Sequence, residues 1–169
     1  MPSSRANLRR GESKVLAERA LLQAVRRDRA AGRTIVVTNG CFDLLHLGHV
    51  RLLERARRLG DTLVVALNSD RSVRRLKGAG RPLVPARDRA RVLAALEAVD
   101  YVTIFDAPTP ARLIERIRPH VLVKGADWAR GSIAGSDAVR DSGGRVVRIP
   151  LTPGRSTSRL LARVAARRR

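Results

Sequence analysis

Five short apolar runs, each followed by a segment of helical pattern, constrain this chain most. The runs are Thr34–Thr38 (TIVVT), Thr62–Leu67 (TLVVAL), Tyr101–Ile104, Val121–Val123 and Arg145–Ile149. A run that is apolar throughout, and rich in β-branched residues, has no side to show to water and reads as a strand covered on both faces. The intervening segments, at about 48–59, 86–98, 109–117, 134–141 and 156–166, read as helices. Strand, short connection and helix, repeated in this way, predict a parallel sheet joined by right-handed crossovers, with helices on both faces.

The expected architecture is α/β: a Rossmann-like, doubly wound, parallel five-stranded sheet with an added N-terminal helix. Residues 1–33 read as a basic N-terminal extension. It holds a helix at about 12–31, where Val15, Leu16, Leu21, Leu22 and Val25 fall near helical spacing and Gly32 is a stop signal. Residues 34–162 form the expected main domain and 163–169 a basic tail. Residues 69–84 read as a basic, Gly-rich stretch. In such sheets ligands sit at the carboxyl ends of the strands, where strand order reverses. The loops after Thr38, Leu67, Ile104, Val123 and Ile149 are therefore where function is expected.

The net charge of +20, from 35 Lys and Arg against 15 Asp and Glu, fits a polyanionic partner: nucleic acid, or a nucleotide with a phosphosugar. It also fits a GC-rich coding bias, because arginine outnumbers lysine 32 to 3 and alanine is abundant. Besides Phe42 and Phe105 the aromatics are Tyr101 and Trp128, too few for a row of base-stacking platforms. No specific nucleic acid is expected as a partner. No apolar run reaches the roughly 20 residues that span a bilayer. Met1–Arg10 lacks the apolar core of a secretory signal. Cys41 is the one cysteine, so no internal disulfide can form. A soluble cytoplasmic protein is expected.

The first of these loops carries the chemistry. Thr38-Asn39-Gly40-Cys41-Phe42-Asp43-Leu44-Leu45-His46-Leu47-Gly48-His49 follows a buried strand and opens a helix. A helix N-terminus offers unpaired N–H groups to a phosphate, and Gly40 and Gly48 let backbone approach a ligand. His46 and His49, three apart, can point to one side. They could also hold a metal, but no third His or Cys follows at useful spacing. Cys41 reads either as a nucleophile or, lacking a nearby base pattern, as a small buried residue or loop donor. Asp43 reads as fixing the loop.

His46-Leu47-Gly48-His49 resembles the HxGH signature of the nucleotidyltransferase superfamily, and Asn39-Gly40-Cys41-Phe42-Asp43 is similar to its cytidylyltransferase-like branch. The match continues through Asn68-Ser69-Asp70, Arg74-Arg75-Leu76-Lys77-Gly78, Gly80-Arg81-Pro82 and Arg89–Tyr101. It extends to Val121–Trp128 and Gly154-Arg155-Ser156-Thr157-Ser158. These blocks together resemble the sugar-phosphate adenylyltransferases of heptose biosynthesis. The resemblance covers about Thr34 to Leu161.

It implies transfer of AMP from ATP to D-glycero-β-D-manno-heptose 1-phosphate, for a lipopolysaccharide core or another surface glycan. A cytidylyltransferase acting on a small alcohol phosphate such as glycerol 3-phosphate stays open beside it. So does a nucleic-acid-binding protein, motivated by charge alone. The resemblance implies that His46, His49 and Lys77 act on the reacting phosphates. It implies a nucleotide site of Thr38, Asn39, Gly40, Cys41, Phe42, Gly48, Lys124, Gly125, Asp127, Ser156 and Thr157. Arg89 would meet the acceptor phosphate. No protein metal site is implied; Mg²⁺ would be held mainly by ATP phosphates and water. Relatives often form homodimers, although the 12–31 helix could equally pack on its own domain.

Overall fold

The computed structural model describes residues 13–126, 133–150, 154 and 157–166. Its elements alternate as the apolar runs predict. They are α1 (Glu18–Ala30), β1 (Ile35–Gly40), α2 (Leu47–Arg57), β2 (Thr62–Asn68), α3 (Asp70–Lys77) and α4 (Ala86–Ala94). Then follow β3 (Tyr101–Phe105), α5 (Ala111–Ile117), β4 (Val121–Gly125), α6 (Ser136–Asp141), β5 (Arg145–Ile149) and α7 (Thr157–Ala166). The strands pair in parallel in the order β3-β2-β1-β4-β5. The expected five-stranded, doubly wound sheet is the fold.

Alternate side chains of each strand feed two apolar layers. Val36, Val65, Val121 and Val123 pack with Leu53 and Ala56 of α2 and Ala90 and Leu93 of α4. Ile35, Val37, Val64 and Leu122 pack on the other face with Leu21 and Val25 of α1, Ile114 and Ile117 of α5 and Val139 of α6. The N-terminal helix is thus part of the sheet's own cover.

Two expectations are corrected. The N-terminal helix starts at Glu18, not near residue 12. Val15 lies in a parallel bridge to Val102, with Leu16 N–H donating to the Val102 carbonyl at 2.8 Å and Val102 N–H to the Lys14 carbonyl at 2.8 Å. A bare sheet edge accepts extended backbone, and this pairing outcompetes helix propagation there. The 69–84 stretch contains α3, started by Ser69, whose side chain accepts from Ser72 N–H, and closed at Gly78 with φ 95°. A Ser N-cap and a left-handed glycine mark a helix even where arginines crowd the segment.

Candidate active site

The chain winds from β1 through β2 to β3 on one side, then returns to place β4 and β5 on the other. Strand order reverses between β1 and β4, and the crevice at their carboxyl ends is the topological switch point. Thr38-Asn39-Gly40 and Val123-Lys124-Gly125 border it. Thr38 was expected in the nucleotide site. Its hydroxyl is buried and donates to the Val123 carbonyl at 3.1 Å. A hydroxyl inside a sheet is satisfied by the nearest carbonyl, so Thr38 fastens β1 to β4.

Beyond Gly40 the chain turns into α2. His46 is the N-cap, and its Nδ1 accepts from Gly48 N–H at 3.1 Å. The N–H groups of His49 and Val50 turn back to the His46 carbonyl. The head of α2 therefore presents imidazoles, and its early N–H groups are largely engaged by His46. The two rings stack, with centroids 3.8 Å apart and planes 18° apart. Burial pushes the His46 ring below its ordinary value. Burial, then the charges of His46 and Lys77, push His49 down to about 4, with the Leu44 backbone working the other way. Both rings are neutral at pH 7.

Two clamps hold the loop. Asp43 accepts from Leu83 N–H at 2.8 Å, Val84 N–H at 3.0 Å and the Arg81 guanidinium at 2.8 Å. Burial alone would raise its carboxyl, but the bonds from Val84, Arg81 and Leu83 outweigh it and hold the group below the ordinary carboxylate range. Asp43 fixes the loop, as its position suggested. Arg89, expected to meet the acceptor phosphate, forms the second clamp. Its side chain is 1% exposed and ion-paired to Asp70 at 2.7 Å. It also donates to the carbonyls of Val84, Cys41 and Asn68. Four of the five guanidinium N–H groups are thereby engaged inside the protein.

Lys77 ends α3 and is exposed, and its charge reaches both Cys41 and His49. The Cys41 thiol is raised by burial, against the lowering fields of Lys77, Arg89 and Lys124. It is a protonated loop residue at neutral pH, not a thiolate nucleophile.

The sequence profile of the cytidylyltransferase-like family matches residues 37–157. The chain belongs to the cytidylyltransferase-like family. It is a nucleotidyltransferase. Among curated relatives, bifunctional protein HldE of Halorhodospira halophila is 57% identical over 155 residues, 92% of this chain and 32% of that protein. Bifunctional protein HldE of Syntrophotalea carbinolica is 50% identical over 156 residues, again 92% of this chain and 32% of the relative. The chain thus spans about a third of the length of these relatives. A crystal structure of the lipopolysaccharide core biosynthesis protein from Thermoplasma volcanium is 26% identical, with a TM-score of 0.59. The match covers 72% of this chain and 98% of that one.

In this nucleotidyltransferase four buried side-chain polar atoms make no hydrogen bond among the described residues: Asn39 Oδ1, His49 Nδ1, Arg148 Nε and Thr103 Oγ1. Three of the four border the switch point. Buried polar groups are otherwise satisfied, so their gathering marks where a polar ligand belongs. Asn39, Lys124 and Arg148 occupy neighbouring strand ends β1, β4 and β5, with Lys124 in register with Arg148. Alternation along those strands puts all three on the face of α5 and α6, opposite α2 and the histidines.

Arg148 was not singled out from sequence, although a polar residue within the run RVVRI was a signal. Asp70 was also missed as an anchor: it accepts from Ala86 N–H at the head of α4 as well as from Arg89. Gly125 closes β4, and Thr157 opens α7. Asp127 and Ser156 lie outside the described residues. A depression of about 500 Å³ bounded by Arg29, Arg118, His120 and Asp141 opens at the amino ends of the strands and contains none of the loop residues.

Proposed function

We propose that this nucleotidyltransferase transfers AMP from ATP to D-glycero-β-D-manno-heptose 1-phosphate, giving ADP-heptose and pyrophosphate. The observation that carries nucleotidyl transfer is the stacked, neutral His46–His49 pair at the switch point, within the field of Lys77. The similarity to HldE relatives at half identity or better supports the heptose branch. So does the likeness to a lipopolysaccharide core biosynthesis protein. The product would serve a surface glycan such as a lipopolysaccharide core, and the reaction would run in the cytoplasm. No helix among the described residues is long and apolar enough to cross a membrane.

In the proposed reaction an oxygen of the sugar phosphate attacks the α-phosphorus of ATP. The bond from that phosphorus to the bridging oxygen of the β-phosphate breaks, and pyrophosphate leaves with the electron pair. The attacking oxygen is already ionised at neutral pH, so no general base is required. What remains for the protein is placement and stabilisation of charge on the transferring group. Neutral imidazoles suit this as N–H donors. With Nδ1 of His46 accepting from Gly48, the proton of the neutral ring is on Nε2, free to donate. Lys77 supplies full positive charge from the exposed end of α3. Asn39, Gly40, the Phe42 backbone, Gly48 and Lys124 border the nucleotide in this proposal, and Thr157 at the head of α7 belongs to the same site, as do Asp127 and Ser156 by their sequence motifs. Asp43 and Asp70 are spent on Arg81 and Arg89. They offer no carboxylate ligand set to Mg²⁺, which in this proposal travels on the nucleotide phosphates and water.

The test is pyrophosphate release with Mg²⁺ and ATP, CTP, GTP or UTP against heptose 1-phosphate, glycerol 3-phosphate or no acceptor. Release only with ATP and heptose 1-phosphate is expected. Release with CTP and glycerol 3-phosphate would move the protein to the cytidylyltransferase reading. No release with any pair would overturn sugar-phosphate transfer and reopen nucleic-acid binding.

A further inference from the structure

Phe42 is a non-glycine residue in the left-handed region, with φ 44°. That conformation costs an ordinary residue of order 1–3 kcal/mol and persists only where the surroundings impose it. Here the imposition is visible. The ring is buried among core residues that include Leu53, Leu67 and Ala90. It lies 3.1 Å from where a Cβ on Gly40 would stand, so only glycine at 40 leaves it this seat without displacement. Its other neighbour is the His49 ring, centroid to centroid 5.0 Å at 59°.

His49 needs such a neighbour. A histidine is ordinarily oriented by a hydrogen bond at the nitrogen not used in chemistry. The buried Nδ1 of His49 makes none. Besides the Leu44 backbone, which acts on the ring, its orientation falls to packing, from His46 on α2 and from Phe42 in the loop. His46 cannot do this alone, because it is committed to capping Gly48.

We infer that Phe42 is a positioning residue: its ring, held by a left-handed backbone, aims His49 at the transferring phosphate and keeps water from the buried nitrogen. This rests on the reading that His49 acts on nucleotide phosphates. A ring contact that excludes water also explains why burial is the leading reason for the depressed His49 titration, with His46 and Lys77 the charged neighbours that add to it.

The test is Phe42→Leu, which keeps apolar volume and removes the ring, read two ways in the full chain. Steady-state kinetics should show kcat down about 10- to 100-fold, the effect of a misplacement near 1 Å, with KM for ATP changed less than about threefold. NMR titration of the His49 ring should show its midpoint rising by a unit or more from about 4. A kcat within twofold of wild type, or a His49 midpoint that does not move, overturns the inference. If Phe42→Leu does not fold, Gly40→Ala displaces the ring by a few tenths of an ångström without deleting it, and the same midpoint decides. Absence of nucleotidyl transfer by the wild-type protein would defeat the functional reading. The titration would still decide the Phe42 contact on its own.

Discussion

Replacing Arg89 separates a clamp from a ligand. The guanidinium is 1% exposed and bonded to three backbone carbonyls and the Asp70 carboxylate. Asp70 itself is 35% exposed, so water can take over part of its charge when the partner is removed. The Val84, Cys41 and Asn68 carbonyls carry most of the loss. A buried polar group left unpaired costs about 1–3 kcal/mol, and such losses within one network do not add fully. Arg89→Ala should therefore destabilise by about 3–5 kcal/mol, the range for breaking a buried charge network. Arg89→Lys should cost about 2–3 kcal/mol, because one ammonium cannot satisfy partners arranged for a planar fork. At roughly 2–4 °C per kcal/mol for a chain of this size, Arg89→Ala should melt about 10 °C lower. Thermal denaturation followed by circular dichroism gives the shift, and pyrophosphate release below the melting range gives KM for the sugar phosphate. A variant that melts within about 2 °C of wild type while KM for the sugar phosphate rises tenfold would refute the clamp and restore Arg89 as a phosphate ligand.

Removing either imidazole, by His46→Ala or His49→Ala, should lower turnover by about 10²-fold or more, with nucleotide binding surviving better; steady-state kinetics and calorimetric titration check this. Asp43→Asn keeps the size but loses acceptor capacity for Arg81, Leu83 and Val84. It should cost about 1–3 kcal/mol in denaturant unfolding. The Asp43 carboxyl is held below its ordinary 3.8, so it stabilises the fold above that pH and the contribution fades as pH falls through the lower folded value. Asp43→Asn should remove that part of the acid sensitivity. His49 contributes in a higher window. The unfolded ring binds a proton near 6.5 and the folded ring only near 4, so stability should fall by up to about 3 kcal/mol as pH drops between them. His49→Gln should flatten that slope in unfolding measured from pH 7 to 4. Gly60→Ala, remote from the crevice, places a Cβ 2.7 Å from the Thr34 carbonyl oxygen and 2.7 Å from Val36 Cγ2. It should cost about 1–3 kcal/mol by overpacking while leaving KM for ATP unchanged.

The strands could be read from sequence because they are buried on both faces. β2 is buried at every position from Thr62 to Asn68, and an apolar run of that length has few other uses. The head of α2 was equally plain, since glycine and histidine cluster directly after β1. What failed depended on partners distant along the chain. Val15 and Leu16 fall in phase with α1, so local periodicity assigns them to it; their backbone pairing with Val102 is invisible locally. α3 buries Val73 while Leu76 is 57% exposed, leaving almost no apolar stripe to detect among its arginines. Arg89 has the right chemistry for a phosphate and for a clamp alike. The choice is made by carbonyls 48 and 21 residues away, at Cys41 and Asn68.

The same geometry alters what the net charge of +20 means. A large basic excess suggests that arginine lines the anion site, yet Arg81 and Arg89 beside this crevice are consumed in holding the loop together. Arg81 neutralises Asp43, and Arg89 neutralises Asp70. These pairs cancel in the far field, so they rigidify the loop without drawing phosphate to it. Of the three cations whose field lowers the Cys41 thiol, two are lysines, Lys77 foremost. The chain has only three lysines, and two of them are here. A compact ammonium on a flexible stem can follow a phosphate as charge redistributes, whereas a guanidinium fixed by four hydrogen bonds cannot. The division of labour therefore follows from the side chains themselves: arginine at 81 and 89 where geometry must be rigid, the exposed ammonium of Lys77 where charge must move. Lys77→Arg should accordingly lose more turnover than ATP affinity, and a variant with wild-type kcat would show that charge alone suffices at that position.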